Sequence, residues 1–125
     1  MRFWDSSAIV PLFLVEPASE RARALIRDDA DVAYWGASPV ECIGAFARNR
    51  REGIYDTRVE SDLLALLEEA RSTWTEIGPH ETLRRQAIHL LRVHPLRAAD
   101  SLQLAAGLVA ADHDPGTLEF VCLDA

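Results

Sequence analysis

The sequence predicts an α/β fold with a mostly parallel central sheet. Three observations lead there. Short β-branched and aromatic stretches alternate with longer stretches of helical period, the pattern of strand–helix–strand units. The length of 125 residues suits one domain, and no repeat, low-complexity tract or linker divides it. Apolar residues make up 49% of the chain, enough for a substantial core.

The elements follow in order. RFWD, residues 2–5, reads as a short buried strand, and SAIVPLFL, residues 7–14, as a short helix with Pro11 early in it. In PASERARALIRDD, residues 17–29, Pro17 suits a first helical turn, and Ala22, Leu25 and Ile26 share one face. VAYW, residues 32–35, has the composition of a strand. SPVECIGAFARNRREG predicts a helix with Ser38 as N-cap, Pro39 at the first helical position and Gly53 at its end. Asp56 caps the next helix, which runs to about Ser72 with Leu63, Leu66 and Leu67 inward. TWTEI, residues 73–77, is a strand, and Pro79 restarts a helix through about Arg92. AADSLQLAAGLVAA, residues 98–111, is apolar on most sides, as a helix covered by its neighbours should be. DPG, residues 114–116, turns the chain into a last strand, LEFVCLD.

Composition narrows the function. The net charge of −7 argues against wholesale nucleic-acid binding by a basic surface. All 13 basic residues are Arg, and Arg48, Arg50 and Arg51 cluster in ARNRRE. An acidic chain can hold a phosphodiester through such a cluster if bound cations offset its carboxylates. Cys42 and Cys122 lie in apolar surroundings and read as small buried hydrophobes. His80, His89, His94 and His113 do not fall at zinc-site spacing. No apolar run approaches the ~18 residues of a membrane span, and the N-terminus lacks the layout of a signal peptide. A cytoplasmic protein with no membrane contact is expected.

Four carboxylates occupy one kind of place. Asp5 ends the first strand, Glu41 and Asp100 lie in first turns of helices, and Asp124 ends the last strand. In open α/β sheets, ligands bind at this edge, outside the carboxyl ends of the strands. Four like charges converging there repel one another unless a cation sits between them. Hard divalent cations such as Mg²⁺ and Mn²⁺ take carboxylate, water and phosphate oxygens, which points to metal-assisted phosphodiester hydrolysis. Each acid also has a purely structural reading. Asp5 can N-cap the following helix, Glu41 can close a capping box with Ser38, and Asp100 can answer the helix dipole. Asp124 can be a solvated turn residue. The structural readings require four separate coincidences on one edge, whereas most of the remaining acids fall in solvated runs such as RDDAD and LLEEAR.

FWDSSAIV, ASPVECIGAFAR, LRAADSLQLAAGL and FVCLD, in this order and spacing, resemble the motifs of PIN domains, specifically the VapC-type toxin ribonucleases of toxin–antitoxin pairs. The resemblance spans essentially the whole length. It implies a PIN-like three-layer sandwich, a single PIN domain over residues 1–125, and an acidic quartet of Asp5, Glu41, Asp100 and Asp124 that binds Mg²⁺ or Mn²⁺. Ser7 matches a small hydroxyl residue that supports the first Asp. The resemblance further implies an RNA substrate, products with 5′-phosphate and 3′-hydroxyl ends, a cognate VapB-like antitoxin and a homodimer. Two departures stand out. Cys122 replaces the usual Thr or Ser two residues before the last Asp, which puts one hydrogen bond near the site in question. The chain stops one residue past the fourth acid, so the C-terminal element is expected to be truncated.

Arg48 shares a helix face with Glu41 and, with Arg51, is a candidate for gripping the RNA backbone; favourable pairing with the helix dipole explains the same cluster. Two rival functions remain to be weighed. A non-catalytic PIN-like module that binds protein or RNA needs no clustered carboxylates. A phosphatase with an aspartyl nucleophile carries D-x-D at its first motif, where this chain has Ser7.

Overall fold

In the computed structural model, which describes residues 1–113 and 115–123, strands and helices alternate as the sequence predicts. The strands are β1 (Arg2–Trp4), β2 (Val32–Trp35), β3 (Thr75–Ile77) and β4 (Glu119–Val121). They form one sheet in the order β3-β2-β1-β4, with every neighbouring pair parallel. Helices α1 (Ser6–Phe13) and α2 (Ser19–Asp28) join β1 to β2, and α3 (Ser38–Arg51) and α4 (Thr57–Arg71) join β2 to β3. Helices α5 (Glu81–Val93) and α6 (Ala98–Ala110), with a 3-10 turn at Pro115–Thr117, return the chain to β4.

The two-residue period of a strand divides the core into two layers. Trp4, Val32, Tyr34 and Val121 pack with Ala8, Ile9, Cys42, Phe46 and Leu63 of α1, α3 and α4. Phe3, Ala33 and Trp35 pack on the opposite face with Leu83, Ala87, Ala105 and Ala106 of α5 and α6. Phe3 and Trp4, adjacent in sequence, therefore anchor opposite faces of β1, and both are 0% exposed. Burying such a side chain contributes about 1.5–3 kcal/mol. Asp5 follows immediately, so the two anchors hold its carboxylate at the sheet edge. Its amide donates to the Val121 carbonyl at 3.0 Å, which ties that edge to β4.

β4 approaches α6 closely because residue 107 is Gly. A Cβ there would stand 2.8 Å from the Phe120 ring, and that ring stacks on Phe3 at 5.2 Å between centroids.

Several local expectations are corrected. The N-cap of α3 is Ala37, with no side-chain cap bond, and Ser38 is fully buried inside the helix. Pro17 precedes α2, which starts at Ser19; the Ser19 hydroxyl donates to the Leu14 carbonyl and accepts from the Glu16 amide, ordering the turn instead. Helix α5 begins at Glu81, after His80, whose Nδ1 accepts the Leu83 amide. Asp56 does cap α4, and Gly53, at φ +77°, does end α3. The apolar residues Val10, Leu12 and Phe13 of α1 are half-buried against the first core layer. No described helix is long and apolar enough to cross a membrane.

Candidate active site

Asp5 stands where the chain leaves β1, between β2 on one side and β4 on the other. In such sheets this is the switch point at which a crevice opens. Its Oδ2 accepts the Ser7 amide at 3.0 Å, so Asp5 is the N-cap of α1 as well as an edge carboxylate. Ser7 supports Asp5 through this backbone bond. The Ser7 hydroxyl instead accepts the Leu123 amide at 3.2 Å, pinning the segment that follows β4.

Glu41 lies in the first turn of α3. The expected capping box does not form. Its Oε2 accepts the Ser6 hydroxyl at 2.9 Å, and its Oε1 accepts Gln103 Nε2 at 3.0 Å. Asp100, in the first turn of α6, faces Arg97, with Nε to Oδ2 at 3.0 Å and Nη2 to Oδ1 at 3.5 Å. Asp124 lies outside the described residues.

Asp5, Glu41 and Asp100 line one cleft of about 660 Å³, together with Arg48, Arg97 and Gln103. Three acids from distant parts of the sequence thus share one space. Among the described residues, however, no three His, Cys, Asp or Glu side chains stand close enough to chelate one ion. Each carboxylate is turned to its own partner: Asp5 to an amide, Glu41 to Ser6 and Gln103, Asp100 to Arg97. A cavity of similar size, about 690 Å³, lies between α6 and β4 and is lined by Leu104, Gly107 and Phe120 rather than by the acids.

The Arg cluster divides. Arg48 reaches the cleft. Arg50 pairs with Glu60 at 3.0 Å. Arg51 is exposed in the last turn of α3, where it complements the dipole, and does not line the cleft.

The two cysteines differ. Cys42 is fully buried, and its thiol is pushed up to about 12, first by burial and then by the charges of Glu41 and Asp5. Cys122, expected to be buried, is exposed, with Sγ 3.5 Å from the Ser7 hydroxyl and 3.9 Å from Asp5 Oδ2. A thiol makes a weaker, longer contact there than a hydroxyl would. A thiol reagent at neutral pH is therefore expected to modify native protein at Cys122 alone and both cysteines after denaturation, as read by mass spectrometry. Folding also holds a proton on Cys42 that the unfolded chain releases near pH 9. Its contribution to stability is complete below that pH and declines as pH rises towards about 12. Cys42→Ala should flatten that decline in chemical denaturation.

Sequence reasoning missed Ser6, Arg97 and Gln103. Gln103 had a signal: an amide in an otherwise apolar helix, three residues after Asp100.

No family model matches the chain. It is 33% identical over 117 residues to Ribonuclease VapC45 of Mycobacterium tuberculosis strain CDC 1551 / Oshkosh, covering 88% of this chain and 76% of that protein. The chain belongs to the VapC family of PIN-domain ribonucleases. Ribonuclease VapC49 of Mycobacterium tuberculosis strain ATCC 25618 / H37Rv matches to the same extent, 33% over 117 residues. The fold agrees with the family: the crystal structure of Mycobacterium tuberculosis VapC20, a Sarcin-Ricin loop cleaving toxin, superposes with a TM-score of 0.72 at 17% identity, over 100% of this chain and 91% of that one.

Proposed function

We propose that the chain is a single-domain, Mg²⁺- or Mn²⁺-dependent endoribonuclease of the cytoplasm, acting as the toxin of a toxin–antitoxin pair. The observation that carries this reading is the convergence of Asp5, Glu41 and Asp100 on one cleft. The donors there are hard oxygens, carboxylates with the serine hydroxyl of Ser6 behind them, and these fit Mg²⁺ or Mn²⁺ better than softer metals. Asp5 and Asp100, turning from their present partners towards Glu41, would hold the cation with it, and Asp124 would be the fourth acid. Bound there, a divalent cation supplies Lewis acidity towards a phosphodiester and lowers the pKa of water.

The chain's own residues do the rest. Arg48, on the cleft wall, offers a guanidinium to the RNA backbone, with Arg51 further along the same helix as a weaker candidate. Arg97 orients Asp100 through its Nε and Nη2. Ser7 holds Asp5 at the end of β1. A VapB-like antitoxin and a second copy of the chain are the partners this reading requires. A non-catalytic module has no use for three carboxylates in one cleft, and the ribonuclease relatives also favour cutting over binding alone.

The test is cleavage of single-stranded RNA by the purified chain. Cleavage should require Mg²⁺ or Mn²⁺, stop with a chelator and return on adding cation. Cleavage that persists unchanged in chelator would remove the cation from the reading.

A further inference from the structure

Gln103 stands at the point where α1, α3 and α6 meet beside the acids. Its side chain is 3% exposed. Its Nε2 lies 3.0 Å from Glu41 Oε1, 2.9 Å from the Ser38 hydroxyl and 3.4 Å from the Ser6 hydroxyl. Ser6 in turn donates to the other oxygen of Glu41 at 2.9 Å. One buried amide thus holds Glu41 directly and through Ser6.

The other end of the amide is informative. Gln103 Oε1 is buried and has no partner among the described residues. Buried polar atoms are rarely left so. Rotating the amide would let Oε1 accept from the hydroxyl of Ser38, but would turn an oxygen towards the Glu41 carboxylate. Nitrogen must face the carboxylate because a carboxylate only accepts. The amide is therefore oriented for Glu41, at the cost of an unpartnered oxygen. A side chain serving only to fill the helix junction would have no need of either.

We propose that Gln103 is the positioning residue of the cation site, setting the affinity for the divalent ion by fixing the Glu41 carboxylate at the cleft. This rests on the metal-dependent reading above. Partners that orient a ligating carboxylate from behind typically change metal affinity or activity about 10–100-fold when removed.

Direct Mn²⁺ binding, read by calorimetry on the full chain without RNA, tests it. Gln103→Met keeps the length and apolar stem and removes the clamp. It should weaken Mn²⁺ binding about tenfold or more. In a Glu41→Gln background the same change should add nothing further, because the two side chains act as one unit. Gln103→His retains a ring N–H for Glu41 and should restore binding towards the wild-type value; it also serves if the Met variant fails to fold. Wild-type affinity in folded Gln103→Met, an additive cycle with Glu41→Gln, or weak binding in folded Gln103→His would each overturn the proposal. The metal reading fails separately: wild type would then bind no Mn²⁺, or would bind it as well after Asp5→Asn.

Discussion

Asp5→Asn is expected to reduce RNA cleavage by more than about 100-fold, beyond the range ascribed to groups that merely support a metal ligand. The substitution separates chemistry from folding. Asp5 caps α1 by accepting the Ser7 amide at 3.0 Å, and the amide oxygen of Asn caps a helix equally well. The strand before it is held by Phe3 and Trp4 in two core layers, which the change does not touch. Thermal melting should therefore stay near that of the wild type while cleavage is lost. Asp100→Asn makes the same point at α6, breaking only an ion pair with Arg97 whose side chains are 42% and 80% exposed. A pair so exposed contributes about 0–1 kcal/mol. Wild-type cleavage in folded Asp5→Asn would remove Asp5 from the site, and with it the purpose of the cleft.

What the sequence disclosed, and what it withheld, follows from the range of the interactions involved. Strand periodicity and helix spacing are local, so the parallel α/β fold, the anchoring of Phe3 and Trp4, and the Asp56 and Gly53 signals were legible. That Asp5, Glu41 and Asp100 share one cleft is legible because their placement relative to strand ends is a topological matter. Ser38 was misread because an N-cap and a buried first-turn serine look alike in one dimension. Only the position of Gln103, 65 residues away, reveals that this hydroxyl is an acceptor. Glu41 was open to misreading for the same reason: S-P-V-E fits a capping box, yet its partners come from α1 and α6. Cys122 reads as buried in the sequence because its neighbours are apolar, although it follows β4 at the rim, where the chain has left the sheet. Side-chain networks joining three helices have no sequence period to betray them.

Phe46→Ala is the change expected to cost most stability, about 3–5 kcal/mol. Phe46 is 0% exposed and meets Phe13 edge to face, with centroids 6.0 Å apart. It belongs to the layer that joins α1, α3 and α4 to the sheet through Trp4, Leu63 and Leu67. Collapse into the resulting cavity is opposed because each wall is fixed elsewhere. Asp5 caps α1, Tyr55 donates to the Phe46 carbonyl at 2.7 Å, and Ser38 is bonded to Gln103 at the start of α3. Domains of this kind are stable by about 5–15 kcal/mol in all, so calorimetry should show a melting temperature lower by roughly 10–20 °C. A loss below about 1 kcal/mol, near a single buried methylene, would mean that the walls do collapse. Phe46 and Glu41 share α3, which gives the variant a second use. If the core alone positioned Glu41, the cavity would weaken Mn²⁺ binding in the folded protein at low temperature. If the clamp of Gln103 and Ser6 positions it, stability falls while that affinity holds, because the bonds that fix the carboxylate come from α1 and α6 and not from the ring, which sits more than a turn further along α3.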